Sequence, residues 1–377
     1  MVFLFLAALF LWVVYAVVIV FYRNGWKSLP DYQPKNLLIP EIKFSVIIPA
    51  RNEQENIGPL LESLLAQTYS KELFEIIVVD DHSTDATAQV VQGYEGVKLI
   101  QLKEDQLNSY KKKAIETGIA AAQHDWIVCT DADCVAGAGW LSTLSSFIED
   151  HDPVFIAAPV RFRKSKKPMN GILYVFQVLD FLTLQGITAA SVHKKKHSMC
   201  NGANLAYRRS VFYEVEGFKG IDKIASGDDM LLMHKIWKLY PEKVKYLKSA
   251  AAIMETEPAL TWKAFFNQRI RWASKATSYD DKRIFVVLLL VYLFNVTFLV
   301  LAVAACFEAV YFYGLLILLL LKTIIEAPFV YDVSRFFDRQ GSMKYFLFFQ
   351  PLHILYTIIS GFLGSFGKYE WKGRKVR

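Results

Sequence analysis

The chain has 377 residues, of which 54% are hydrophobic and 21% charged, with a formal net charge of +7. That length suggests more than one domain. Basic residues sit beside long apolar runs, so the positive balance reads as membrane topology and not as a nucleic-acid surface.

Residues 1–22 contain no charge, polar break or helix breaker, and a run of that length crosses a bilayer as a helix. A signal peptide would bring a basic start, a shorter apolar run and a small-residue cleavage site. Segment 1–23 is therefore expected to be a retained transmembrane helix, followed by a linker over 24–43. From 44 to 260 the composition is that of ordinary soluble sequence. Phe44–Pro49, Glu75–Asp80, Val97–Ile100, Trp126–Thr130 and Phe155–Val160 read as buried strands. Between them Asn56–Gln67, Thr84–Val91 (capped by Ser83 or Thr84) and Lys111–Ala122 read as helices. This alternation predicts an α/β fold with a mainly parallel sheet and helices on both faces. Such sheets bind ligands beyond the carboxyl ends of their strands. Pro49-Ala50-Arg51-Asn52-Glu53, Asp80-Asp81 and Asp131-Ala132-Asp133 all stand there. No GxGxxG follows the first strand and no GxxxxGK[ST] occurs, which disfavours a dinucleotide dehydrogenase or a P-loop nucleotidase.

Residues 169–192 are apolar apart from interruptions such as Gln177 and Asp180. They predict an amphipathic helix at a membrane surface, with a buried core helix as the alternative. Met230–Leu239 reads as a helix entered through Gly227-Asp228-Asp229. Residues 261–283 are expected to form an interfacial helix, on which Gln268, Arg271 and Trp272 share a face. Three apolar stretches, 284–306, 309–331 and 345–366, make a C-terminal transmembrane region. Lys322 and Glu326 are four apart and must turn toward other protein. Gln350, Pro351 and His353 suggest that the last stretch is kinked or re-entrant. Arg23, Lys27, Lys282, Arg283, Arg335, Arg339 and Lys344 place the 44–260 region in the cytoplasm. Counting spans leaves the basic tail, 367–377, outside, whereas its Lys368, Lys372, Arg374, Lys375 and Arg377 prefer the inside. Cys129, Cys134, Cys200 and Cys306 have no zinc-site spacing and read as thiols used for packing.

The polar motifs admit two readings each. Asp131 and Asp133 either hold Mg²⁺ or Mn²⁺ with a diphosphate or form a polar turn. Asp80 and Asp81 either accept hydrogen bonds from a nucleobase or ribose or cap the next helix. Lys111, Lys112 and Lys113 open a helix, where cations are unfavourable unless an anion is near. Of the two aspartates at 228 and 229, one suits a general base for an alcohol, while Asp228 also suits an N-cap. Gln268, Arg271 and Trp272 suit phosphate and sugar contacts or a membrane-interface belt.

Taken together these motifs resemble membrane-bound glycosyltransferase family 2, inverting enzymes of GT-A fold, from about Phe44 to Trp272. The resemblance rests on Pro49…Glu53, Asp80-Asp81-His82-Ser83-Thr84-Asp85, Asp131/Asp133, Cys200-Asn201-Gly202-Ala203-Asn204, Asp228-Asp229 and Gln268…Trp272. Tyr110-Lys111 stands where the family has Gly-Lys. The resemblance implies a nucleotide site at Pro49, Ala50, Arg51, Glu53, Asp81, Lys111 and Asp131, with uracil the commonest base. It implies a Mg²⁺ or Mn²⁺ site at Asp131 and Asp133, and an acceptor site at Asn201, Gly202, Ala203, Asn204 and Trp272. Asp229 becomes the base, beside Asp228, with Gln268, Arg271 and Trp272 on the acceptor and leaving group. One helix before the domain, a few after it and the closing Trp371…Arg374 look most like ceramide-glucosyltransferase-like glycolipid enzymes. A processive polysaccharide synthase is the alternative within the family, and a non-catalytic membrane scaffold or transporter the alternative outside it. The implied partners are a nucleotide sugar, a lipid or lipid-linked acceptor and the bilayer (the inner membrane in a bacterium). No nucleic acid and no obligate protein partner are expected.

Overall fold

A computed structural model describes residues 2–35, 40–105, 107, 109–164, 167–196, 200–222, 224, 227–274, 281–366, 369–371 and 374–376. Part of the linker and Lys368, Lys372 and Arg377 of the tail lie outside these residues. The chain divides into two units: 1–29, 165–197 and 259–369 form one, and 30–164, 198–258 and 370–377 the other.

The second unit is built on two sheets. Its strands are β1 (Phe44–Ala50), β2 (Phe74–Asp80), β3 (Val97–Gln101), β4 (Trp126–Cys129), β5 (Val135–Ala136), β6 (Phe155–Ala157), β7 (Val160–Phe162), β8 (Leu205–Arg208), β9 (Val244–Tyr246) and β10 (Met254–Thr256). The larger sheet runs β3-β2-β1-β4-β8-β6-β9 and the smaller β5-β10-β7. Pairing is parallel from β3 to β4 and between β6 and β9, and β8 lies antiparallel to both of its neighbours. This is the mainly parallel α/β architecture. The apolar runs reflect cover on both faces: Val46, Ile47 and Ile48 of β1 and Ile77, Val78 and Val79 of β2 are fully buried.

Two local expectations change. Phe155–Val160 is not one strand, because the chain leaves the larger sheet after Ala157. Pro159 has no N–H for a ladder; its carbonyl accepts from Met254 N at 3.0 Å, and Val160 starts β7 in the smaller sheet. The helix expected at Thr84 begins at Thr87, where Asp85 Oδ1 accepts from Thr87 N at 3.0 Å. Ser83 Oγ and Thr84 N are instead bound to Asn52, at 2.9 and 2.8 Å.

The first unit is helical. Residues 165–197 belong to it, so the 44–260 stretch is not one continuous body. The helix Gly171–His193 is capped by Asn170 and buries Leu173, Phe176, Gln177, Leu179, Asp180, Leu182 and Gln185, positions that run around its circumference. It is thus a core helix and not an amphipathic surface one. Among the described residues five helices are long and apolar enough to cross a membrane: Val2–Ser28, Gly171–His193, Lys282–Ala304, Ala309–Phe336 and Gln340–Ser365. The helix Phe346–Phe366 runs unbroken through Pro351 and forms no re-entrant hairpin. Small residues let these helices approach: a Cβ on Gly186 would stand 2.5 Å from Val333 Cγ2 and 2.9 Å from Phe329 Cζ. Lys322 turns inward as expected. Its Nζ lies 2.7 Å from Glu326 Oε1 and donates to Gln350 Oε1 at 2.6 Å. Gln350 Nε2 returns to Glu326 Oε2 at 2.8 Å, and Tyr15 also donates to Glu326. Cys129, Cys134 and Cys200 are buried, whereas Cys306, just past the end of Lys282–Ala304, is exposed.

Candidate active site

The loops that follow β1 and β2 interlock. Asp81 N donates to Ala50 O at 2.8 Å, continuing the strand register by one residue. Arg51 Nη1 donates to the carbonyls of Asp81 and His82 at 2.8 and 3.1 Å, with Asp81 Oδ1 3.9 Å away. Asn52 and His82 both adopt left-handed backbone, at φ 51° and 52°, a conformation that Asn and His tolerate better than most residues. Glu53 accepts from Asn56 Nδ2 at 2.7 Å. Asp80 and Asp81 are buried beneath this knot. Ala50 and Asp81 are thereby brought together, and Glu53 stands on the same loop as Ala50 with its N donating to Thr87 Oγ1 at 2.8 Å. Arg51, expected on the nucleotide, uses its charge to hold the carbonyls of the neighbouring loop.

Beyond β4 a charged cluster forms from three distant segments. Lys111, in the first turn of the helix Tyr110–Ala120, places Nζ 2.7 Å from Asp131 Oδ1 and 3.1 Å from Asp228 Oδ2. Burial alone would depress this amine, but Asp131 and Asp228 outweigh it and hold its pKa well above the ordinary lysine value. The anion expected near this helix start is therefore a pair of side chains. Asp229 is the cap of the helix Met230–Leu239, the role expected of Asp228: Oδ1 accepts from Met230 N at 2.7 Å. Its Oδ2 accepts from Gly202 N at 3.1 Å.

Gly202 lies close over this cluster. A Cβ there would meet Asp228 Oδ2 and Lys111 Nζ at 3.3 Å and Asp229 Cβ at 3.6 Å. Gly202→Val is expected to cost about 1–3 kcal/mol, the range for overpacking, read from thermal unfolding of the purified protein. An unchanged midpoint would show that the loop lifts away freely. Asn201 Oδ1 accepts from Ala203 N at 3.0 Å and tightens the same turn. Asn204, expected at an acceptor, is fully buried. Its Nδ2 donates to Pro159 O and Ala252 O at 2.8 Å each, and its Oδ1 accepts from Trp140 Nε1 at 3.1 Å. Both N–H donors of that amide are spent on the fold, and its oxygen is held inside it. Lys112, which the sequence gave no reason to single out from its lysine run, is buried and donates to Ile221 O and Ile224 O at 2.6 Å. It ties down the segment that leads to Asp228.

Among the described residues no three His, Cys, Asp or Glu side chains gather into a metal cage. Asp131 and Asp133 nevertheless offer the carboxylate oxygens that Mg²⁺ and Mn²⁺ take, and such ions commonly complete their shell with substrate phosphates and water. The pair fits a cation shared with a diphosphate.

The helical unit carries the remaining motif on the helix Trp262–Ala273, capped by Thr261. Gln268, Arg271 and Trp272 stand along it as the spacing predicts. Arg269, between them, is 4% exposed. Its Nε donates to Asp180 Oδ2 at 2.8 Å and its Nη1 to Gln268 Oε1 at 2.6 Å. Its guanidinium lies 4.3 Å from the Trp272 ring centroid and 4.5 Å from that of Phe265.

A family model described as Glycosyl transferase family 2 matches residues 45–216. Over 258 residues the chain is 28% identical to the probable glycosyltransferase YdaM of Bacillus subtilis, covering 67% of this chain and 59% of that protein. Over 270 residues it is 27% identical to poly-beta-1,6-N-acetyl-D-glucosamine synthase of Staphylococcus aureus, covering 70% of this chain and 61% of the synthase. The chain thus spans about three-fifths of the length of these relatives. A mannosyltransferase, PcManGT from Pyrobaculum calidifontis, solved in complex with GDP-Man and Mn²⁺, superposes with a TM-score of 0.59 at 18% identity, covering 94% of this chain and 97% of the other. That likeness is one of fold.

Proposed function

On the premise that residues 45–216 belong to glycosyltransferase family 2, we propose that this protein is an inverting membrane-bound glycosyltransferase. It moves a sugar from a nucleotide sugar, UDP-linked, to a lipid or lipid-linked acceptor by single displacement. The observation that carries the reading is the cluster of Lys111, Asp131, Asp228 and Asp229 under Gly202, beyond the carboxyl end of β4. Pro49, Ala50, Glu53 and Asp81 receive the nucleoside. Asp131 and Asp133 hold Mg²⁺ or Mn²⁺, which when bound neutralises charge on the departing diphosphate. Lys111 is a permanent cation beside that charge. Asp229 takes the proton from the acceptor hydroxyl, whose oxygen then attacks the anomeric carbon as the diphosphate leaves. Asn201, Gly202 and Ala203 border the acceptor. Gln268, Arg271 and Trp272 bind acceptor and leaving group. The long apolar helices favour a membrane lipid as acceptor, and the basic residues flanking them favour a cytoplasmic catalytic unit. The similarity to a polymer synthase favours a second reading, repeated transfer, which product length distinguishes.

The test is incubation of the full-length protein in native membranes with UDP-glucose, UDP-galactose, UDP-N-acetylglucosamine and GDP-mannose, with products read by mass spectrometry. A new glycosylated lipid is expected. Absence of any sugar transfer while UDP still binds would leave the scaffold reading. Removal of divalent metal by EDTA, and separately Asp133→Ala, should each abolish transfer and metal-dependent UDP binding. Full activity in EDTA would overturn the metal assignment.

A further inference from the structure

Gln177 and Asp180 interrupt an otherwise apolar helix and are both buried. Burying a carboxylate among apolar helices is costly unless it is paired and hydrogen-bonded, so its partners are informative. Gln177 clamps one backbone position: Nε2 donates to Ala259 O and Oε1 accepts from Ala259 N, both at 3.0 Å. Three residues on, Asp180 accepts from Arg269 Nε at 2.8 Å and from Arg269 Nη2 through the same Oδ2, while Tyr356 donates to its Oδ1. One face of this helix therefore fixes both the approach to the helix Trp262–Ala273 and the arginine in that helix. Asp180 and Arg269 side chains are each only 3% exposed.

What Arg269 does with its remaining valence matters most. Its Nη1 donates to Gln268 Oε1 at 2.6 Å. A carboxamide whose oxygen is taken keeps its two N–H donors. The planar guanidinium also stacks at 4.3 Å on the ring of Trp272, which has Phe181 6.2 Å away between centroids. We infer that Asp180, with Tyr356, is a positioning residue that acts through Arg269, setting Gln268 as a hydrogen-bond donor and seating Trp272. The inference rests on the proposed role of Gln268 and Trp272 in transfer. Its chemical content is that Gln268 acts as a hydrogen-bond donor and not as an acceptor.

The experiment uses the full-length protein in nanodiscs, transfer kinetics with the nucleotide sugar that is turned over, UDP affinity, and ¹⁹F spectra of 5-fluorotryptophan protein with Trp272 assigned by Trp272→Phe. Gln268→Glu keeps the size and strengthens the bond to Arg269 but has no donor. It should lose transfer on the order of a hundredfold, as Gln268→Ala does, the loss typical for a transition-state donor. Arg269→Lys cannot make the fork or the stack and should lower kcat about tenfold or more, shift the Trp272 resonance and weaken UDP binding no more than Gln268→Ala does. In a Gln268→Ala background Arg269→Lys should add only the part of its loss that runs through Trp272, less than its full loss in the wild type. Asp180→Asn, which retains an acceptor oxygen for Arg269, should give a weaker form of the same pattern and serves if Arg269→Lys does not fold. Wild-type kinetics in Gln268→Glu, an unmoved Trp272 resonance, or losses that multiply in the double variant would overturn the inference. Wild-type kinetics in Gln268→Ala itself would instead remove the role proposed for the motif, and this inference with it.

Discussion

Asp229→Asn is expected to lower sugar transfer by on the order of 10² or more while UDP affinity stays at its wild-type value. The carboxylate is fixed from two sides, by Met230 N at 2.7 Å and Gly202 N at 3.1 Å. Each bond uses one lone pair of one oxygen, and a second remains on each to meet an acceptor hydroxyl. Asparagine is of the same size and can still cap the helix through its oxygen. Its amide nitrogen then faces Gly202 N–H, donor against donor, at a cost of about 1 kcal/mol in stability. That is too little to unfold the unit, so the lost rate reports chemistry. Asp228→Asn acts differently, because Asp228 faces Lys111 at 3.1 Å. Single-turnover rates of both variants beside their UDP affinities are the measurement. An active Asp229→Asn with an inactive Asp228→Asn would move the base one residue back.

The second large effect belongs to the helical unit. Lys322→Leu should destabilise it by about 3–5 kcal/mol, since it strands the carboxylate of Glu326 in a buried site. Lys322 is fully buried, and its ammonium, Gln350 and Tyr15 together satisfy Glu326. Joint replacement, Lys322→Leu with Glu326→Leu, removes the stranded charge and should recover most of the loss. Thermal unfolding of the detergent-solubilised full chain reads both. Equal midpoints for the single and double variants would mean that the pair contributes no more than packing.

Local signals carried much of the architecture. The apolar runs of β1, β2 and β4 are continuous because both faces of those strands are covered. Met230–Leu239 was readable to the residue from its apolar spacing and its aspartate start. What stayed hidden depends on partners far along the chain. Nothing near Pro159 says that the next residues join β10, and nothing in β8 says that it runs against β4. The apolar run at 169–192 looks the same on a membrane surface as in a helical core until its neighbours are known. Within the site, the motif spacings named Lys111, Asp131, Asp228 and Asp229, which the structure gathers. They could not show that Asn204 is consumed by Trp140, Pro159 and Ala252, or that Arg51 spends its charge on carbonyls. Arg269 and Lys112 escaped for a related reason: a lysine or arginine in a polar run looks solvated until a buried partner is found.

The antiparallel seat of β8 also has a consequence for how the protein is made. β4 ends at Cys129, and its second neighbour, β8, begins at Leu205. At ribosomal speeds of about 5–20 residues per second the edge of β4 waits some 4–15 s for it. During that wait the emerging chain delivers the helix Gly171–His193, which finds Val2–Ser28 already made but whose other helical partners, Ala309–Phe336 and Phe346–Phe366, come last of all. A nascent chain of this protein thus holds an open sheet edge and a half-covered apolar helix at once, so its yield in cells depends on what shields both until synthesis ends.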